Sequence, residues 1–505
     1  MQDVATALKT YQTYIDGAWV DAQSGKKFQT LDPYTGEAWA EIPQCDATDV
    51  EKACDAAHRA FESGPWPNMT QTARGKLLRR IAGLIEQHAE HLARIEVQDN
   101  GKLISEMTAQ LKYLPEWYYY YGGLADKIHG NVVPVDKPDH FAYTLREPVG
   151  VCGMIIPWNS PLLLVGWKLA PALATGCTAV IKPSEYTSAS LLEFIKLVIE
   201  PAEVPRGVIN VVTGYGQEAG EPLVVHPKVA KVAFTGGTAT GARVASLAAQ
   251  SFKKVSLELG GKSPNIVFDD AILDDAVNGA ISGIFAATGQ TCIAGSRLLV
   301  QESIHDAFME KLIATAKTAK LGNPMEFETQ VGPVTTPPQY EKILSYIDIA
   351  KGEGAKCVLG GGPAGPDMGG GKYFVQPTIF DGVENTMRIA QEEVFGPVLS
   401  VIRFKDEDHA AEIANDVVYG LGSGVWTQSI KRATTMAKRI RAGTVWINTY
   451  RAVSFTMPFG GYKQSGLGRE NGADAINEYL QTKSVWISNA SNAGNPFIMK
   501  TASSD

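Results

Sequence analysis

Apolar positions recur at helical spacing over a long stretch early in the chain: Leu77, Leu78, Ile81, Leu84, Ile85, Leu92 and Ile95. That period predicts a long amphipathic helix. A shorter helix precedes it, with Val50, Ala53, Cys54, Ala57, Ala60 and Phe61 on one face. Before both, residues 15–45 read as short strands around the turns YIDGAW and DPYTGE. From about residue 149 the texture changes. The apolar runs VGVCGMIIP, TAVIKP, VINVVTG and KVAFTGG alternate with helical patterns, which predicts βαβ units and a parallel sheet. A second alternating block starts near residue 262 with SPNIVFD and continues through RLLVQ, KYFVQPTIF and VLSVIRF. The glycine-rich stretch 359–372 has no apolar period and reads as a surface loop rather than a phosphate loop. No fixed-period repeat is evident. The pattern predicts an α/β protein with two α/β units and a set of leftover strands.

Composition narrows this picture. A chain of 505 residues is too long for one ordinary core. A net charge of −8 argues against nucleic acid or an anionic membrane as the main partner. The opening MQDVATALKT has no apolar core, so no secretory leader is expected there. The most apolar stretch, 161–176, holds Lys168, Pro161 and Pro171, so no membrane span is expected from it. Six cysteines occur with no CxxC pair and no zinc spacing. The expectation is a reducing, cytoplasmic setting without a structural metal, with every cysteine except Cys292 serving as packing.

Three strand ends could receive a dinucleotide, because ligands of parallel sheets bind at the carboxyl ends of strands and phosphates favour helix N-termini. AVIKPSE (179–185) offers Lys182 and Glu185, VVTGYGQ (211–217) offers Gly214 and Gly216, and AFTGGTATGARVA (233–245) offers a glycine pair before a helix. No GxGxxG is present. Each glycine pair alone is more often an ordinary turn, but three successive strand ends together favour a cofactor. The Glu185 carboxylate can accept from a ribose 2′-hydroxyl and repels a 2′-phosphate, so NAD is favoured over NADP.

Five segments carry a resemblance: IIPWNSP (155–161), LELGGKSP (257–264), GQTCIAGSR (289–297), EEVFGPV (392–398) and PFGGYKQSGLGRE (458–470). Together they resemble the aldehyde dehydrogenase superfamily, from about residue 13 to about residue 488. The resemblance implies a Rossmann-like NAD-binding domain from 1–125 and 148–260 and an α/β catalytic domain from 261–470. It also implies a small β oligomerisation arm from 126–147 and 471–490, and a tail from 491–505. By itself Cys292 would read as a small buried hydrophobe. The resemblance makes it the nucleophile that forms a thiohemiacetal and then a thioester. It makes Asn159 the side-chain oxyanion donor, beside the backbone N–H of Cys292. It makes Glu258 the base that activates water, which implies hydrolysis rather than transfer to coenzyme A. Lys168 matches a family lysine and is assigned to proton movement or positioning.

The same resemblance places NAD against Ile155, Ile156, Trp158, Lys182, Ser184, Glu185, Gly214, Gly216, Phe234, Thr235, Gly236, Gly237, Leu259, Glu393 and Phe395. Gly237 departs from the serine usual there, which removes one donor to the pyrophosphate. The aldehyde is expected between Ser160, Leu163, Leu164 and Trp167 on one wall and Arg451, Val453 and Phe459 on the other. Ser160 and Val453 are smaller than the aromatics common in relatives, which leaves room for a bulkier, aromatic aldehyde, and Arg451 either suits a polar or anionic one or is a solvated rim residue. Edge strands in the arm imply a homodimer or a tetramer of dimers. Two other readings remain open: a catalytically silent structural protein of the same fold, and a cysteine esterase. The second normally needs a histidine beside the thiol, and none of the eight histidines lies in these segments.

Overall fold

The computed structural model describes residues 8–491 together with Asn495 and Phe497. The tail expected from 491 onward falls almost wholly outside the described residues.

The βαβ texture resolves into an eight-stranded sheet. Its five parallel strands are Val151–Ile155, Thr178–Lys182, Ile209–Val211, Val229–Thr235 and Lys254–Glu258. In space they run third, second, first, fourth, fifth, so the order reverses between Val151–Ile155 and Val229–Thr235. A crevice at such a reversal is where α/β sheets bind ligands. The strands are apolar runs because helices cover both faces. The antiparallel hairpin Thr13–Ile15 and Ala18–Val20 extends one edge. Gly466–Leu467, far along the chain, closes the other by pairing with Leu257 and Glu258.

The second alternating block forms a seven-stranded sheet. SPNIVFD, RLLVQ, KYFVQPTIF and VLSVIRF supply Pro264–Val267, Arg297–Gln301, Thr378–Asp381 and Val398–Phe404. Gly422–Trp426 and Thr444–Ile447 continue it in parallel, and antiparallel Lys356–Leu359 ends it. The leftover strands Val132–Val133, His140–Pro148 and Leu480–Ser488 make a separate three-stranded arm. Nine consecutive pairs, from Leu480 opposite Pro148 to Ser488 opposite His140, zip its long edge. Phe141, Leu145, Trp486 and Ile487 stand exposed on it.

The long amphipathic pattern is the helix Gln71–Asn100, started by the Thr70 hydroxyl accepting from the Ala73 amide and stopped at left-handed Gly101. The shorter one is Ala47–Glu62, begun by a reciprocal capping pair between Asp46 and Asp49. Two further helices, Ile104–Tyr113 and Pro115–Leu124, pack beside Gln71–Asn100. The apolar stretch 161–176 is the helix Pro161–Thr175, buried over nearly all its length. Among the described residues, no helix is long and apolar enough to cross a membrane. Cys45, Cys54, Cys152 and Cys177 are buried, whereas Cys357 is only half-buried, since its strand lies at the sheet edge.

Candidate active site

The crevice at the strand reversal opens into two adjoining cavities. The outer one, about 520 Å³, is walled by Ile155, Lys182, Gly216, Phe234, Val244 and Leu247 among others. Its apolar sides suit a flat heterocycle, and the buried Lys182 ammonium in its wall is held to Glu185 at 3.4 Å. Burial pushes the Lys182 amine down, and the Glu185 charge works against that. The inner cavity, about 160 Å³, is lined by Trp158, Asn159, Leu164, Thr235, Gly236, Gly237, Glu258, Leu259, Cys292, Glu393 and Phe395, with Gln339 and Lys342. Between them lies the start of the helix Thr238–Ala249, whose N-terminal amides can receive a phosphate. A Cβ at Gly237 or Gly216 would meet nothing within 4 Å, so both leave room for a close-lying group. An elongated dinucleotide fits this donor set and shape.

Four expected contacts line neither cavity. Gly214, left-handed at φ 122°, packs on the carbonyl of Cys45, where a Cβ would stand 2.8 Å away. Its conformation serves that close approach rather than a ligand. Ile156 is core, and its amide continues the strand pairing to the Lys182 carbonyl. Ser184 is buried and engages Tyr186 and Ser188 of its own turn. Glu185 adjoins the outer cavity beside Lys182, with which it pairs.

Cys292 follows the helix Leu273–Ile284 and a tight turn, and it keeps part of its surface open to the inner cavity. Its thiol is pushed up to about 12, first by burial and then by the Glu258 and Glu393 carboxylates, with Lys102 opposing. No histidine is among the described groups acting on it. Asn159, just before the buried helix, donates its amide to the carbonyl of Gln290 at 3.0 Å, two residues from the sulfur. An Asn side chain carries a second N–H, which can serve an oxygen bound above Cys292.

Glu258 ends the edge strand of the parallel set. It is buried, and neither carboxylate oxygen has a hydrogen-bond partner among the described residues. Burial holds its carboxyl well above the usual range, and the Glu470 charge adds to this, against Lys168 and Arg469. A carboxylate with two unengaged oxygens and a raised pKa is suited to accept a proton. Lys168 lies beneath it, donating to the Thr235 hydroxyl at 2.6 Å and to Glu470. Glu393 accepts from the Gly261 amide at 2.9 Å. Phe395, left-handed at φ 61°, meets the Trp158 ring edge-on at 5.3 Å.

The expected aldehyde walls divide. Leu164 lines the inner cavity. Ser160 and Trp167 are buried behind it, and Leu163 packs against the core. Val453 and Phe459 line a separate recess of about 360 Å³, which Phe459 joins to Trp167 by ring contact at 5.0 Å. Arg451 is half-buried outside both and donates to the Ser282 carbonyl at 3.1 Å. Sequence reasoning missed Gln339 and Lys342 of the inner cavity and two buried charged residues. Glu470 lies inside a quoted segment but carried no role. Lys102 is buried and donates to the Ser160 hydroxyl at 2.7 Å, a partnership that no local pattern announces.

Known proteins are similar to this chain over nearly its whole length. The pattern of the aldehyde dehydrogenase family matches residues 19–485. A (Z)-2-((N-methylformamido)methylene)-5-hydroxybutyrolactone dehydrogenase of Acinetobacter baylyi is 47% identical over 98% of this chain and all of its own. The human mitochondrial aldehyde dehydrogenase is 46% identical over 94% of this chain and 92% of its own. Among solved structures, betaine aldehyde dehydrogenase of Staphylococcus aureus in complex with NAD+ superposes with a TM-score of 0.95. It is 42% identical and covers 96% of this chain and 97% of its own.

Proposed function

The chain belongs to the aldehyde dehydrogenase family, and from that premise we propose how its own residues carry out the oxidation of an aldehyde to a carboxylic acid. The activity is that of an NAD-dependent aldehyde oxidoreductase, with neighbours of known structure solved as NAD+ complexes. NAD, when bound, accepts the hydride. Lys182 and Glu185 hold the adenosine ribose, the helix start at Gly236 and Gly237 takes the pyrophosphate, and Glu393 and Phe395 hold the nicotinamide end.

Cys292 releases its proton to solvent, and the resulting thiolate bonds to the aldehyde carbon, making that carbon tetrahedral. The oxygen becomes an oxyanion, and the second N–H of Asn159 together with the Cys292 amide stabilises it. One such donor is worth ~3 kcal/mol of barrier. Loss of the hydride leaves a thioester on the sulfur. Glu258 then removes a proton from water, the hydroxyl bonds to the acyl carbon, and the C–S bond breaks to release the acid. Lys168 and Glu470 set the charge around Glu258.

One observation carries this reading: Cys292, Asn159, an unpaired Glu258 and the pair Glu393 and Phe395 share one cavity wall. The substrate is a polar, anionic or aromatic aldehyde, in keeping with Lys102 and Ser160 behind the cavity. The Acinetobacter relative, named for a polar lactone, supports a polar substrate. The division into 1–125 with 148–260, 261–470, and 126–147 with 471–490 belongs to this proposal. So do a homodimer or tetramer built through the arm and a cytoplasmic location.

The test is absorbance of reduced nicotinamide in mixtures of protein, NAD and a panel of aldehydes, with Cys292→Ala as control. Reduction by the native chain alone is the expected result. Ester cleavage without reduction would instead favour a cysteine hydrolase, and silence in both assays a silent member of the fold.

A further inference from the structure

The turn that delivers Cys292 is left-handed over three successive residues. Ala287 (φ 53°, ψ 26°) and Thr288 (φ 54°, ψ 32°) precede Gly289 (φ 69°). Residues with a β-carbon visit this region singly, at a cost of roughly 1–2 kcal/mol each. Two in a row need something that prevents relaxation. Gly289 itself leaves no alternative side chain, since a Cβ there would stand 2.1 Å from the carbonyl oxygen of Gly396. The Thr288 hydroxyl donates to the Gly332 carbonyl at 3.2 Å. The first amide of the turn, that of Ala287, is the one held by a charge: it donates to Glu106 Oε1 at 2.7 Å.

Glu106 stands in the first turn of the helix Ile104–Tyr113, 181 positions away in sequence. Its second oxygen is buried and has no other partner among the described residues, so no competing bond draws the carboxylate away. One turn earlier Lys102 reaches Ser160, next to Asn159. The segment 102–106 therefore touches both sides of the site, the oxyanion side through Lys102 and the sulfur side through Glu106. The turn that Glu106 holds also fixes the Gln290 carbonyl that engages Asn159.

We propose that Glu106 is a positioning residue for the nucleophile: its carboxylate clamps the left-handed turn 287–289 and so keeps Cys292 in register with Asn159. The inference rests on the reading of Cys292 as nucleophile. An ionised acceptor on a backbone amide is among the stronger single hydrogen bonds. Its loss lets the turn relax toward right-handed backbone and displaces the sulfur and the Gln290 carbonyl together.

The test compares full-length Glu106→Ala, Glu106→Gln and the double variant Glu106→Ala/Ala287→Gly with the native enzyme. It follows kcat, the KM for NAD, the rate of Cys292 alkylation by iodoacetamide, and Tm. Glu106→Ala lowers kcat by about 10- to 100-fold, the range expected for a charged hydrogen bond, changes the alkylation rate, and leaves the KM for NAD within about two-fold. Glutamine keeps a carbonyl acceptor and restores most of kcat. Glycine at 287 adopts the left-handed turn without a clamp, so the double variant also recovers. A double variant as slow as Glu106→Ala, at equal Tm, overturns the proposal. If Glu106→Ala does not fold, Glu106→Asp with and without Ala287→Gly gives the same comparison. Alkylation of Cys292 without effect on native turnover would instead remove the underlying reading of that cysteine.

Discussion

Lys168 and Glu470, 302 positions apart in the chain, meet as an ion pair with both side chains buried. The pair lies beside Glu258, whose carboxyl is held high by burial and then by the Glu470 charge, with Lys168 opposing. A base must lose its proton before it can act, so turnover limited by thioester hydrolysis rises as pH climbs through the Glu258 pKa. Glu470→Gln removes a negative neighbour and leaves the Lys168 charge unshared. Both changes favour ionised Glu258, and the acid limb of the kcat–pH profile moves to lower pH. Lys168→Met removes a positive neighbour and moves the limb to higher pH. Profiles that stay in place in both variants would separate this pair from the proposed base.

Gly237→Ser restores a hydroxyl where the structure has space for one. Gly237 precedes the helix Thr238–Ala249 with extended backbone and no side-chain cap, and nothing stands within 4 Å of its missing Cβ. A serine there can cap the helix or donate to a pyrophosphate without displacing a neighbour. A hydrogen bond worth about 1 kcal/mol net lowers the KM for NAD roughly five-fold. An unchanged KM, with the variant folded, would show that the phosphates lie elsewhere.

Glu185→Gln tests the choice of cofactor. In the native chain Glu185 partly neutralises the buried Lys182 at 3.4 Å. Removal of the carboxylate takes away repulsion of a 2′-phosphate and leaves the Lys182 ammonium to attract it. The kcat/KM for NADP rises about ten-fold, or 1.4 kcal/mol, while that for NAD falls. Steady-state kinetics with both cofactors decide it; a fall for both alike would show that Glu185 only orders the loop.

The arm presents Phe141, Leu145, Trp486 and Ile487 to solvent along a nine-pair ribbon. Phe141, Leu145 and Ile487 share one face of it, with Trp486 on the other, and an exposed apolar face of this kind marks an interaction surface. Leu145→Glu with Ile487→Glu places two desolvated carboxylates at the proposed subunit contact and shifts the mass in light scattering toward the monomer. The strand pairing, which is backbone, remains. An oligomer that survives both changes would place the contact on another surface.

What the sequence made legible was what lies close along the chain. Each strand of the two large sheets that carries a quoted apolar run could be found because a strand buried on both faces needs such a run locally. The helices Ile104–Tyr113 and Pro115–Leu124 were not found, since EWYYYYGG has no single apolar stripe to betray a period. Gly214 shows the converse. A left-handed glycine that packs on the Cys45 carbonyl has the same local pattern as one that clears room for a cofactor. The motif segments named Cys292, Asn159 and Glu258, and the structure brings all three to one cavity. Their supports were invisible, because Lys102 with Ser160, Glu106 with Ala287 and Lys168 with Glu470 are joined only by packing.

The Lys102 and Ser160 pair bears on the substrate more directly than Arg451, which sequence reasoning placed at the tunnel mouth. Arg451 is half-buried, spends one donor on the Ser282 carbonyl, and lies outside the cavity of Cys292. A charge open to solvent is screened and discriminates weakly. Lys102 is buried and does not line that cavity either, but its charge acts on Cys292, and the one described acceptor of its side chain, Ser160, adjoins Asn159. An ammonium has three donors, so two remain for a polar group carried by the aldehyde. Lys102→Met therefore lowers kcat/KM for carboxylate-bearing aldehydes at least ten-fold more than for neutral ones of equal size, about 1.4 kcal/mol of discrimination. Arg451→Ala lowers both by similar, smaller factors. Burial pushes the Lys102 amine down, with Arg451 adding to that and Glu106 and Glu96 opposing it. The ammonium is then lost at lower pH than an ordinary lysine loses its proton, so on the proposed reading any discrimination that Lys102 gives in favour of anionic aldehydes fades as pH rises. Kinetics on matched pairs of charged and neutral aldehydes across pH measure both effects; equal losses for the two classes in Lys102→Met would remove Lys102 from substrate recognition.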